Sequence, residues 1–296
     1  ELPDCEKRYI VNRIIDPSEE RKIVDLLKAS GASFEVIPFD PDEYRKLGFD
    51  MAAMSRPDLL TARYINSFEP LRRQRVRLAL YRLKNNYVMN NNGARNFALE
   101  SGRHRAKWVL PFDGNCFFTP SAWEDLRSEV SLNPHFKYFV VPMTRVTSNR
   151  SLLSDSFEPE PLEEPQLLFR RDSEEHFNEE FCYGRRPKVE LFWRLQIAGK
   201  WDEYKDDAWD RERRPASPEA GQFGVAGWVA RMFSGVEAFE TQDSEGAEKR
   251  HVARADAILE TLQALDVSIS GASEARCVSV RDDVLAAEAV DRHSSE

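Results

Sequence analysis

Residues 107–112 read KWVLPF, an apolar and aromatic run too short for a stable helix and of the right length for a strand buried in a sheet. This run constrains the fold most, because it stops at Asp113 and Gly114, where the backbone can turn sharply. Thr119-Pro120 then supplies a helix N-cap with proline at the first helical position. Upstream, Asn91-Asn92-Gly93 predicts a turn, Ala94 to Ser101 a helix with Ala94, Phe97 and Ala98 on one face, and Gly102 its left-handed end. An acid at the carboxyl end of a buried strand stands where α/β sheets place ligand-binding groups. Asp113 and Asn115 offer two oxygens one residue apart, a pair able to hold a hard divalent cation already bound to a diphosphate. The same tripeptide also serves simply to cap a turn.

The flanking chain predicts more of an α/β fold. Tyr9 to Ile15 reads as a strand, Asp16-Pro17-Ser18-Glu19 as N-cap, first-turn proline and capping-box acid, Gly31 as a helix stop and Ser33 to Phe39 as a second strand. Leu71 to Lys84 reads as an arginine-rich amphipathic helix, with a break at Arg56-Pro57 before it and a short strand, Tyr87 to Asn90, after it. Phe136 to Val146 is a strand with Pro142 marking a bulge or an edge, and Glu164 to Arg171 is another. The loop Tyr183-Gly184-Arg185-Arg186-Pro187-Lys188 has the charge and backbone freedom to bind a diphosphate. Val189 to Leu195 follows with a helical pattern. Trp193 and Trp201 can stack on a sugar or fill a core. Gln222 to Phe233 is either one packed helix or a glycine-rich loop. Val252, Ala255, Leu259 and Leu262 give a last amphipathic helix, and Val278 to Leu285 is expected to pack back before an acidic, Ser-rich end.

Composition limits the function classes. The net charge of -9 argues against general nucleic-acid binding, which needs a basic footprint. Cys5, Cys116, Cys182 and Cys277 show no zinc or redox spacing. No apolar run approaches the ~20 residues that cross a bilayer, and no signal-peptide pattern is visible. The compartment is left open between the cytoplasm and a secretory lumen.

The order A-R-N-x-A, then W-V-L-x-x-D-G-N, then T-P-x-A-W, all within residues 90–123, resembles the nucleotide-sugar glycosyltransferases of the GT-A fold, especially the family-two-like inverting enzymes. That resemblance implies a Rossmann-like α/β fold: a mixed, mainly parallel central sheet flanked by helices, with a donor half over about 1–150, an acceptor half over about 160–240 and a helical extension over 241–296. It implies a manganese or magnesium ion on Asp113 and Asn115, with His251 as a late ligand. Asn115 replaces the family's second acid, which weakens such a site. Asn92, Arg95 and Asn96 would face the nucleotide sugar, Arg185 and Lys188 its diphosphate, and Asp40, with Asp42 as rival, its base or ribose. Trp228 and Arg231 would sit on a loop closing over the donor, and Glu190, or else Glu180, would deprotonate the acceptor. Residue by residue, ordinary structure offers an alternative: turn caps for Asp40 and Asp42, a helix-dipole carboxylate for Glu190, a surface histidine for His251. An inactive GT-A-like binding module and a sugar nucleotidyltransferase are the competing functions. The nucleotidyltransferase is disfavoured because residues 12–18 hold no glycine.

Overall fold

The computed structural model describes residues 2–51, 67–146, 148–154, 157–204, 210–233 and 244–270. The expected break at Arg56-Pro57, the segment Val278 to Leu285 and Cys277 lie outside them. Strands β1 (Arg8–Asn12) and β2 (Ser33–Ile37) pair in parallel, Val11 opposite Val36, around helix α1 (Pro17–Ala29). The helix starts as its sequence dictates: Asp16 accepts from the Ser18 N–H at 2.7 Å, Pro17 sits in the first turn, and Gly31 beyond the end takes φ 67°. This pair forms a sheet of its own.

Helices α2 (Pro41–Arg45), α3 (Pro70–Leu80), α4 (Arg82–Met89) and α5 (Asn91–Arg103) follow. Tyr44, Leu78, Tyr81 and Val88 bury against Ala255, Ile258, Leu259 and Leu262 of the final helix α8 (Ser244–Ser270). The single helix expected over 71–84 is thus two, and the strand expected over Tyr87 to Asn90 is the end of α4. A short apolar run has no period that separates strand from helix. Asn90 takes the left-handed φ of 44° that joins α4 to α5, and residues 91–93 are the first turn of α5 rather than a free turn. Gly102 does not end α5 either. A Cβ there would lie 2.6 Å from Val109 Cγ1, so glycine lets the helix close on the strand that follows it.

The main sheet has the order β3 (Trp108–Val109), β6 (Glu163–Arg170), β5 (Tyr138–Arg145), β8 (Val229–Arg231), β4 (Cys116–Phe117), with β7 (Phe223–Val225) also on β5. β6 runs antiparallel to β3 and β5, and β4 to β8; β7 and β8 run parallel to β5. The expected mainly parallel sheet is therefore mixed. β5 and β6 are consecutive strands joined without an α-helical crossover, and such neighbours pair antiparallel. The β5–β6 register shifts between Val141 and Met143, where Pro142 has no N–H to give the ladder. Residues 222–233 form β7 and β8 instead of a helix, with Gly227 at φ 53° between them.

Strand alternation sorts the core into two faces. Tyr138, Val140, Leu167 and Phe169 pack with Leu99 of α5 and with Val189, Leu191, Phe192 and Leu195 of helix α7 (Val189–Leu195). Phe139, Val141 and Leu168 pack with Leu126 of helix α6 (Pro120–Leu132), which Thr119 caps from its side chain. Cys116 and Cys182 are buried and Cys5 exposed, all as free thiols.

Gly102→Ala is expected to destabilise the protein by roughly 1–3 kcal/mol in a denaturant melt, although alanine is the better helix former by about 1 kcal/mol. Combining it with Val109→Ala should recover part of the loss if the α5–β3 contact is the cause.

Candidate functional site

Beyond Val109 the chain continues alongside β6 and then has to pass from the β3 edge of the sheet to β4 at the opposite edge. Residues 110–115 make that passage, and Asp113 lies within it beside β6. Its Oδ2 accepts from Gln166 Nε2 at 3.0 Å and from Lys188 Nζ at 3.1 Å; its Oδ1 accepts from Arg95 Nη2 at 2.9 Å. The Asp113 side chain is 27% exposed, while those of Arg95 and Lys188 are 11% and 8%. Phe112, Gly114 and Asn115 around it are exposed, so the cluster opens to solvent along this turn.

Arg95 is aimed by its own helix. Asn92, Arg95 and Asn96 lie three and four residues apart, hence on one face. Asn92 Oδ1 accepts from Arg95 Nη1 at 2.9 Å, and Asn92 Nδ2 donates to the carbonyls of Asn178 and Pro187 at 2.7 and 3.0 Å. Asn96 pairs reciprocally with the Phe177 backbone at 2.9 Å in both directions and donates to Glu179. Lys188 precedes α7 and also donates to the Pro165 carbonyl at 3.2 Å. Burial works to raise the Asp113 carboxyl. The Lys188 and Arg95 charges, with the hydrogen bonds from Gln166 and Arg95, outweigh it and hold the group far below the ordinary aspartate value.

Asn178 lies next to both this cluster and Glu190, whose carboxyl it helps to pull down. Asn178 Oδ1 accepts from the Glu180 N–H at 3.1 Å and from Arg214 Nη2 at 3.3 Å. Glu190 is wholly buried, its Oε1 accepts from Arg194 Nε at 2.9 Å, and its Oε2 has no partner among the described residues. Burial pushes its carboxyl up to about 6, against the pull of Arg214. Arg194 also pairs with Glu175 and donates to the His176 carbonyl at 2.6 Å. Glu180 is exposed.

The other sequence-predicted residues lie apart. Asp40 caps α2, accepting from the N–H groups of Asp42 and Glu43 at 2.8 and 3.2 Å, as the turn-cap alternative has it, whereas Asp42 lies in the first turn of α2 and pairs with Arg45. Arg185 does not join Lys188 on Asp113; it is ion-paired with Asp210 beside a small cavity lined by Arg75, Arg82 and Cys182. His251 belongs to α8. Burial, followed by the charges of Arg185, Arg75, Arg254 and Arg186, lowers it to about 4. It is neutral at pH 7, but four guanidinium groups make its surroundings hostile to a metal cation. Trp228 packs against Phe157, with ring centroids 5.7 Å apart. Arg231 lies opposite Cys116 on β4 and faces Glu163 at 3.6 Å, a carboxylate that Arg145 already binds through two nitrogens.

These positions decide the metal question on the donor set. Among the described residues no three His, Cys, Asp or Glu side chains gather where a cation could be held. Both Asp113 oxygens already accept from donors, Asn115 is an exposed amide, and His251 faces arginines. The described residues do not fit a protein-built divalent site. Gln166, Asn178, Arg194 and Arg214 were missed by sequence reasoning. Only Gln166 carried a signal, as the polar residue inside the apolar strand QLLF. No family model, curated protein or solved structure matches this chain.

Asp113→Asn leaves Arg95 and Lys188 without their carboxylate. The loss is expected to fall between the ~1 kcal/mol of an exposed pair and the ~3–5 kcal/mol of a buried one. A carboxyl whose folded pKa is depressed stabilises above its unfolded value, and that contribution fades as pH falls. The deficit of the variant should therefore be full at neutral pH and shrink below the ordinary aspartate value of 3.8, as read by urea melts across pH.

Proposed function

We propose that this protein transfers a sugar from a nucleotide-diphosphate donor to an acceptor hydroxyl. The observation that carries the reading is the meeting of Arg95 and Asp113, at 2.9 Å, beside the main sheet. The two residues come from the two halves of the motif that resembles family-two-like glycosyltransferases, and Lys188 reaches the same carboxylate from the expected diphosphate loop. In the reaction the acceptor oxygen bonds to the anomeric carbon while the bond to the diphosphate oxygen breaks, its electron pair leaving with the diphosphate. Arg95 and Lys188 stabilise that growing negative charge. The acceptor proton passes to a carboxylate on the far face of the sugar, which gives inversion.

Glu190 is assigned that base role, because its raised carboxyl matches proton transfer near neutrality and because Asn178 lies next to it and to Asn92, which holds Arg95. Its burial means that neighbouring groups have to move before an acceptor reaches Oε2. Glu180, exposed and hydrogen-bonded through its N–H to the same Asn178, is the second assignment. The manganese or magnesium expected from the resemblance enters no step here.

A screen of nucleotide sugars for hydrolysis or thermal stabilisation tests the function, and an inactive binding module would give stabilisation without turnover. With Glu190 as base, kcat/KM rises as pH passes about 6, because only the carboxylate form accepts the proton. Glu190→Gln then abolishes transfer and Glu180→Gln does not. The opposite pattern moves the base to Glu180, and full activity in both variants removes carboxylate catalysis from this segment.

A further inference from the structure

We infer that Arg95 and Lys188 form a diphosphate-binding site that works without a divalent cation, and that Asp113 is the positioning residue that holds them rather than a metal ligand. The inference rests on the sugar-transfer reading only for what the diphosphate is attached to. It starts from the mismatch between the expected metal motif and the donors that surround it.

A carboxylate that serves a metal needs lone pairs directed at an open position. Here a guanidinium on Oδ1 and an ammonium and an amide on Oδ2, at 2.9 to 3.1 Å, fill three of the carboxylate's roughly four acceptor positions, and two of those three donors are cations. Two cations on one carboxylate leave an excess of one positive charge, which repels a divalent cation and attracts a diphosphate. Of the flanking acids, Glu163 is matched by Arg145 and Arg231, and Glu179, which accepts from the neutral Asn96 amide and keeps its charge, is exposed and screened by solvent.

The donors also have capacity left. A guanidinium carries five N–H groups and an ammonium three. Arg95 spends its bonds on Asn92 and Asp113, and Lys188 spends its own on Asp113 and the Pro165 carbonyl. Both therefore retain N–H groups with no acceptor among the described residues. They are also held in advance. Asn92 fixes Arg95 from the side, the Phe177 ring lies under its guanidinium at 5.5 Å, and Lys188 is only 8% exposed. Preorganised cations beside an exposed Gly-Asn turn can meet phosphate oxygens with little ordering cost.

The test is calorimetric titration of the full chain with inorganic pyrophosphate, in excess EDTA and again in excess magnesium. Saturable binding in EDTA is expected, with affinity that magnesium does not improve. Lys188→Gln and Arg95→Gln should each weaken it by about tenfold or more, the loss of a charge-assisted hydrogen bond. Lys188→Arg, which keeps the charge, should stay close to wild type. Asp113→Asn, confirmed as folded by circular dichroism, should still bind without metal but less tightly than wild type and more tightly than either cation variant, because the cations lose the carboxylate that positions them while a negative charge leaves the side of the anion. Binding that appears only with magnesium, or that survives Lys188→Gln and Arg95→Gln but is lost in a folded Asp113→Asn variant, overturns the inference. The two readings fail separately. Metal-free pyrophosphate binding with no turnover of any nucleotide sugar removes sugar transfer and leaves this site standing, whereas turnover that EDTA abolishes does the reverse.

Discussion

Asp113 carries one negative charge, and on it converge a guanidinium from α5, an ammonium from the approach to α7 and an amide from β6. Neither cation is well solvated, and a buried charge without a partner costs several kcal/mol. The carboxylate offsets that cost for both at once. It therefore couples three segments far apart in sequence. The coupling continues into the backbone, because Asn92 holds Arg95 while donating to the carbonyls of Asn178 and of Pro187, the residue before Lys188.

The sheet explains why this node forms where it does. β3 and β4 lie at opposite edges, yet residues 110–115 alone connect them. So short a connection has to cross close over the intervening strands, which brings its one acid against β6 and its glycine and asparagine out to solvent. On one face of those strands α7 is held by Leu191, Phe192 and Leu195, all buried. α6 on the other face anchors the chain after the crossing. The position of the charged cluster is thus a consequence of apolar packing on both faces, while its internal order is set by hydrogen bonds.

What could be read from the sequence depended on the range of the interaction. α7 has the limits its apolar pattern predicts, and α1 starts at the Asp16-Pro17 signal, because caps and helical periodicity are local. That Arg95 and Asp113 lie close together was legible as well, since both fall within residues 90–123; that they bond directly was not, because a metal was expected on Asp113 and a nucleotide sugar on Arg95. Strand direction was not. Whether β6 lies parallel or antiparallel to β5 depends on how a connection folds, and nothing in EEPQLLFR encodes it. Gly102 was misjudged for the same reason: its role is the approach of Val109, a tertiary contact, and not the local freedom of its φ. Asp40 was legible through its local alternative, since the cap that Asp40-Pro41 offers is the one the structure forms.

The overall charge of -9 bears on what the node is for. A chain with that excess of acid repels anionic ligands over most of its surface, so any anion it binds has to be drawn by a local concentration of cations. Several arginines here do not provide one: Arg185 faces Asp210, and Arg194 faces both Glu175 and Glu190. Arg95 and Lys188 share a single acid, as Arg145 and Arg231 share Glu163, but it is the acid of the first pair that adjoins the exposed Gly114-Asn115 turn. Sharing leaves their positive charge incompletely balanced at a place where exposed residues open the way to solvent, and it does so with side chains that neighbouring amides and carbonyls have already fixed in direction.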